Sequence, residues 1–130
     1  MHPFRQAVEA QDTAAIDALL AENVVFTSPV AFKPYPGKAI TAAILRGVER
    51  VFKDFHYVRE IADPDGRNHA FIFKAKVGDK DITGCDFLHF DEDGLIDDFM
   101  VMVRPLSAAN ALAEAMAAQF DRIQREAGQA

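Results

Sequence analysis

Apolar residues in the first third of the chain recur at helical spacing. Phe4, Ala7 and Val8 predict a short helix over residues 3–11. Asp12 then offers an N-cap to a second helix, in which Ile16, Leu19 and Leu20 keep the period. Asn23 ends it. Val24 to Ser28 reads as a strand, with Val24, Phe26 and Ser28 on one face, and Pro29 stops it. The segment Val30–Gly37 holds Pro34, Tyr35, Pro36 and Gly37 and reads as an ordered loop without regular structure. A third helix is expected from Lys38 to about Lys53. Its apolar stripe is Ile40, Ile44, Val48, Val51 and Phe52, with Arg46, Glu49 and Arg50 facing water.

From Phe55 the period becomes two. Phe55, Tyr57 and Arg59 alternate with His56, Val58 and Glu60, and Asp63-Pro64-Asp65-Gly66 forms a turn. His69 to Val77 follows as a strand, with Phe71, Phe73, Ala75 and Val77 on one face. Asp81 to Arg104 reads as a hairpin about Asp93-Gly94. With those two as the turn, Glu92 faces Leu95, Asp86 faces Val101, Leu88 faces Phe99 and Gly84 faces Val103. One face then carries Gly84, Asp86, Leu88, Phe90, Phe99, Val101 and Val103. The other carries Cys85, Phe87, His89, Met100, Met102 and Arg104. Both are largely apolar, so both should be covered. Ser107 can cap a last helix to about Arg125, striped by Ala109, Leu112, Met116, Phe120 and Ile123, with a frayed tail over Glu126–Ala130. The order predicts an α+β fold with a curved, mostly antiparallel sheet.

Composition narrows the class. The 130 residues, half of them hydrophobic and 11 of them Phe, suffice for one domain, residues 1–130, with a core that needs no metal or staple. A formal charge of −6 without a basic cluster argues against nucleic acid. The apolar runs are too short for a membrane span, and the first residues lack a signal pattern. A lone cysteine, Cys85, suits a reducing compartment, so a cytoplasmic location is expected. No two histidines fall at a ligand spacing, and Asp91-Glu92-Asp93 with Asp97-Asp98 lacks the length and glutamate of a calcium loop. Neither metal nor cofactor is expected.

Candidate chemistry centres on Asp86. A strand interior among apolar neighbours is a poor place for an aspartate. Burying its charge is costly unless it is protonated, paired or hydrogen-bonded. Apolar walls would raise its pKa and favour the neutral, donating form. Tyr57 is the partner best placed by strand alternation. Ser28 reads as a polar wall and Tyr35 as a lid at the mouth. The expected ligand contacts are Phe26, Ser28, Tyr35, Phe71, Phe73, Leu88, Phe90, Phe99, Val101 and Val103. Plainer readings stand beside these: Asp86 as a satisfied structural carboxylate, Tyr57 as a core tyrosine, Tyr35 as an exposed loop aromatic. Cys85 and His89 alternate away from Asp86 and are not expected to act in chemistry.

The element order, the strand ending in Ser28-Pro29-Val30, the Pro-Gly loop before the third helix and the run from Asp86 to Gly94 resemble a known superfamily. It is the nuclear transport factor 2-like superfamily, in its polyketide-cyclase-like (SnoaL-like) and ketosteroid-isomerase-like branch. The resemblance spans residues 3–123. It implies a cone in which the sheet wraps the helices around a deep pocket for a small hydrophobic molecule. It also implies a homodimer joined through the outer sheet face. Ketosteroid isomerases use an aspartate base before the Pro-Val, a tyrosine on the first helix and a protonated aspartate in the strand before the last. Asp86 falls on that last position, Ser28 stands at the base and Phe4 approximately at the tyrosine. The resemblance thus implies isomerase-, cyclase- or lyase-type chemistry on a carbonyl or polyketide-like molecule, with Asp86 as acid or base. A non-catalytic ligand-binding or dimeric interaction module is the alternative.

Overall fold

In the computed structural model, which describes residues 2–128, α1 (Pro3–Glu9) and α2 (Thr13–Ala18) lead into β1 (Leu20–Thr27). A short β2 (Tyr35–Pro36) and α3 (Lys38–Val51) follow. Then come β3 (Lys53–Ala62), β4 (Asn68–Val77), β5 (Lys80–Phe90), β6 (Ile96–Arg104) and α4 (Leu106–Gly128). The strands make one sheet in the order β2-β1-β6-β5-β4-β3. Among the described residues, only the β1–β6 pairing is parallel. The α+β class with a curved, mostly antiparallel sheet is as the periodicity predicts.

Local chemistry accounts for the helix starts. The Asp12 carboxylate accepts from the Ala15 N–H at 3.1 Å, satisfying one of the open donors of α2. His2 does the same for α1 through Nδ1 and the Phe4 N–H at 3.0 Å, with Pro3 in the first helical position.

Several boundaries differ from the pattern. Leu20 belongs to β1, not α2, because it pairs with Ile96 of β6, and an irregularity between Leu20 and Val25 resets the register. The loop after Pro29 is not wholly irregular: Tyr35 and Pro36 pair with Phe26 and Val25. Pro36 is tolerated there because β2 is an edge strand. Arg46 and Arg50 do not point to water. Arg46 meets Asp17 at 3.5 Å and Glu126 at 3.7 Å, and Arg50 meets Glu126 at 3.1 Å. Asp17 ties α3 to α2, and Glu126 ties it to α4, which continues past Arg125 to Gly128. The frayed tail is therefore not found at 126–128, and residues 129–130 lie outside the described ones.

Two bulges matter for the site. In β3, Tyr57 pairs with Phe73 but Arg59 pairs with Ile72, so Val58 is an extra residue. Arg59 is thereby turned from Tyr57's face. Glu60 comes opposite Phe71, and its carboxylate lies 3.8 Å from Arg5. In the β5–β6 hairpin, the pairs Asp86–Val101, Leu88–Phe99 and Gly84–Val103 stand as the pattern predicts. The turn does not. Asp91 N–H reaches the Leu95 carbonyl at 2.7 Å, so the loop holds Glu92, Asp93 and Gly94 rather than two residues. The Asp91 carboxylate stabilises it by accepting from the Asp93 and Leu95 N–H groups, both at 2.9 Å. Phe90 then pairs with Ile96 and His89 with Asp98, and the bulge at Asp97 restores the register.

The concave face of the sheet buries Phe71, Phe73, Leu88, Phe90 and Phe99 against Phe4, Leu112 and Ile123 of the helices. The convex face leaves Val58, Ile61, Phe87 and Met102 exposed. Among the described residues, no helix is long and apolar enough to cross a membrane.

Candidate functional site

A cavity of about 280 Å³ remains where α1, α3 and α4 cross the concave face. Seven aromatic side chains line it: Phe4, Phe26, Phe52, Phe55, Tyr57, Phe73 and Phe99. Ile44, Val48, Val101, Leu112 and Met116 complete the apolar wall. Asp86 also reaches this wall, from the middle of β5, and is only 7% exposed.

The Tyr57 hydroxyl donates to Asp86 Oδ2 at 2.6 Å, and both residues are buried. No described residue donates to the other carboxylate oxygen, Oδ1. Burial raises the Asp86 carboxyl from its ordinary 3.8 to about 7, while the Tyr57 hydrogen bond pulls the other way. Burial, and next the Asp86 charge, push the Tyr57 hydroxyl well above its ordinary value. Tyr57 therefore stays protonated and keeps donating to Oδ2. The proton that comes and goes near neutral pH belongs to Asp86, which lines the cavity. A carboxyl poised near 7 can serve as acid or base.

Ser28 lines the cavity beside Pro29 and Val30. Its Oγ accepts from the Val30 and Ala31 N–H groups at 3.1 and 3.3 Å. The hydroxyl proton is left free, so Ser28 can still donate.

Of the residues singled out from sequence, Asp86, Tyr57, Phe26, Ser28, Phe73, Phe99 and Val101 meet around this cavity. Tyr35, Phe71, Leu88, Phe90 and Val103 do not line it. Phe71, Leu88 and Phe90 are on the expected face, but Phe71 and Phe90 sit under His2 and His69, where the core is filled. Tyr35 is no lid: it lies in β2 with its ring 6.4 Å from that of Phe120. Alternation names the face of a strand and not the distance along it at which the helices leave space. Phe52 and Phe55 escaped selection as wall residues, although Phe55 shares the strand period of Tyr57. Glu9, Glu49 and Asp54 also line the cavity, and no sequence signal marked them.

Cys85 and His89 are on the other side of the sheet. Burial lifts the Cys85 thiol to about 11, far from a reactive thiolate. His89 Nδ1 lies 2.6 Å from Asp97 Oδ1. Among the described residues, no group of three or more His, Cys, Asp or Glu could hold a metal ion.

The Tyr57 bond yields a direct expectation. Tyr57→Phe removes the donor that favours the ionised carboxylate, so the Asp86 midpoint should rise above about 7. Carboxyl carbon chemical shifts followed against pH would show it, and an unchanged or lower midpoint would disprove the bond's role.

Solved structures share this architecture. A steroid delta-isomerase from Pseudomonas aeruginosa is 39% identical, with 94% of this chain and 89% of that chain covered and a TM-score of 0.87. A protein with a cystatin-like fold from Silicibacter pomeroyi DSS-3 is 36% identical, with 95% and 89% covered and a TM-score of 0.87. An LEH-like epoxide hydrolase of M. tuberculosis, 20% identical over 92% of this chain and 91% of its own, shares the fold with a TM-score of 0.61. No functionally curated protein matches significantly. The family model of the SnoaL-like domain matches residues 2–99. The chain belongs to that family, the SnoaL-like domain family.

Proposed function

We propose that this protein binds a small apolar carbonyl compound and moves a proton on it without a cofactor, with Asp86 as the acid or base. The observation that carries this is the 2.6 Å Tyr57–Asp86 bond at an apolar cavity, with the carboxyl raised to about 7. The likeness to a steroid delta-isomerase supports it. In the ionised state, Asp86 takes a proton from the carbon next to the carbonyl. The electron pair moves onto the carbonyl oxygen, which the free Ser28 hydroxyl proton can meet. Where the substrate carries a β,γ C=C, return of the proton to the γ carbon moves that double bond to the α,β position and completes an isomerisation; return to the same carbon gives exchange. Tyr57 keeps the carboxylate oriented throughout.

2-Decalone in deuterated water tests this. The wild-type protein should accelerate deuterium uptake next to the carbonyl, with a rate that climbs as pH rises through about 7 and then levels off. Asp86→Asn should bind the ketone and lose the acceleration. Equal exchange by both proteins would remove Asp86 from the chemistry. Binding without exchange by either would support the second reading, a non-catalytic binder. That reading is favoured by Ser28 and Phe4 standing where isomerases place a base and a tyrosine.

The exposed apolar convex face, with Val58, Ile61, Phe87 and Met102, supports a homodimer joined through the sheet. The inert Cys85 suits a cytoplasmic setting. Light scattering should report a dimer for the wild type and a monomer for Met102→Asp. A monomeric wild type would exclude the dimer.

A further inference from the structure

All charge-bearing side chains lining the cavity among the described residues are acidic. Glu9, Glu49 and Asp54 share the wall with Asp86, and no lysine, arginine or histidine joins them. Glu9 and Asp54 are exposed and Glu49 is half-buried, whereas Asp86 is nearly closed off. The three therefore stand at the rim and Asp86 at the floor. Their cationic partners lie outside the wall. Arg5 is 3.3 Å from Glu9, Arg46 acts on Glu49, and Lys76 feels Asp54. Asp54 has a φ of 53°, an unusual conformation for a residue with a side chain, and it carries a carboxylate at the mouth.

Two further observations point to a ligand that meets these charges. Asp86 lines the cavity, is more than nine-tenths buried, and has on Oδ1 no donor from any described residue, Tyr57 being bonded to Oδ2. Seven aromatic residues line the cavity, and an aromatic ring attracts a cation that meets its face. One-signed charge on low-dielectric walls concentrates the opposite charge at a cleft and repels its own.

We infer that the hollow selects its ligand by charge: it takes apolar molecules whose outward end is a protonated amine and rejects those that end in a carboxylate. Glu9, Glu49 and Asp54 are the specificity residues. This rests on the reading of the cavity as a ligand site, and adds to it what the outward end of the ligand must be. It does not depend on Asp86 performing proton transfer.

Calorimetric binding of nonylamine, 1-nonanol and nonanoate tests it, since the three share one chain. At low salt and about pH 8, the amine should bind best and the carboxylate worst, about tenfold or more apart. Rim charges are screened by salt, so raising the salt to about 0.5 M should narrow the gap. The combined Glu9→Gln, Glu49→Gln and Asp54→Asn protein should narrow it too. Should that protein fail to fold, Glu49→Gln with Asp54→Asn keeps the test, since Asn tolerates a positive φ. Equal affinity for amine and carboxylate overturns the inference and leaves the carbonyl reading intact. A preference that survives high salt and vanishes in Asp86→Asn overturns the rim assignment, because the floor is then what reads the charge. Failure of all three probes to bind overturns the ligand-site reading itself, and the inference with it.

Discussion

Asp86→Asn is expected to stabilise the protein at alkaline pH and to leave it nearly unchanged at acid pH. Between its ordinary value of 3.8 and about 7, the folded chain holds a proton on Asp86 that the unfolded chain has released. Folded protein therefore binds more protons there, and stability falls as pH rises through that window. At 1.36 kcal/mol per unit, the full loss is at most about 4 kcal/mol. Asparagine abolishes it, since its side chain carries no charge to bury. Its amide oxygen still accepts from Tyr57, and its NH₂ group stands in for the proton on Oδ1. Thermal unfolding at about pH 9 should show a midpoint higher by up to about 10 °C, and at about pH 4 almost none. A loss of stability at both pH values would show that the ionised carboxylate is satisfied by contacts other than Tyr57. The same substitution should end deuterium exchange on 2-decalone. A residue whose charge weakens the fold is the kind of conflict expected at a functional site.

Much of the fold was legible because period and turn chemistry speak directly to it. The alternation of Phe71, Phe73, Ala75 and Val77 named the buried face of β4 correctly. The pairing of Asp86 with Val101 followed from hydrophobic matching across the hairpin, although the assumed turn was one residue too short. Two features offset each other there: the longer loop and the bulge at Asp97 together restore the register that a tight turn would give. The bulge at Val58 had no such compensation, and it carried Arg59 away from Tyr57's face. Nothing in a local window of the sequence reveals this extra residue in the ladder.

The candidate site was legible in its centre and not at its edge. Asp86 and Tyr57 are 29 residues apart and stood out because each was polar on an apolar face. Glu9, Glu49 and Asp54 sit on α1, on α3 and near the start of β3, and each reads locally as an ordinary surface carboxylate. Only the crossing of the helices over the sheet makes them neighbours of one cavity. The depth of that cavity was hidden for the same reason. Phe71 and Phe73 are equivalent in period, yet Phe73 is wall and Phe71 is filled core.

Gly84→Ala is expected to destabilise the protein by about 3 kcal/mol, the upper part of the range for overpacking. Gly84 lies mid-strand, where glycine ordinarily weakens a sheet, so its presence calls for a close approach. A Cβ at this position would press on Phe73 Cζ, lie 2.7 Å from Cε2 and come within 2.9 Å of the Met102 carbonyl oxygen. Neither neighbour can yield freely. Phe73 is 1% exposed and stacks on Phe55 with ring centroids 4.8 Å apart. Met102 is held in the β5–β6 ladder opposite Cys85. The easier movement is of the Phe73 ring into the cavity, since that is the side with open volume. Gly84→Ala should therefore weaken binding of every apolar probe in addition to lowering the urea midpoint. Phe73→Leu should recover much of the stability in the Gly84→Ala background while costing stability alone, a non-additive cycle. Additive losses would instead place the obstacle at the Met102 carbonyl. In the recovering case, the missing side chain at Gly84 is what allows Phe73 to lie back against β5, and the hollow in front of Asp86 exists because it does.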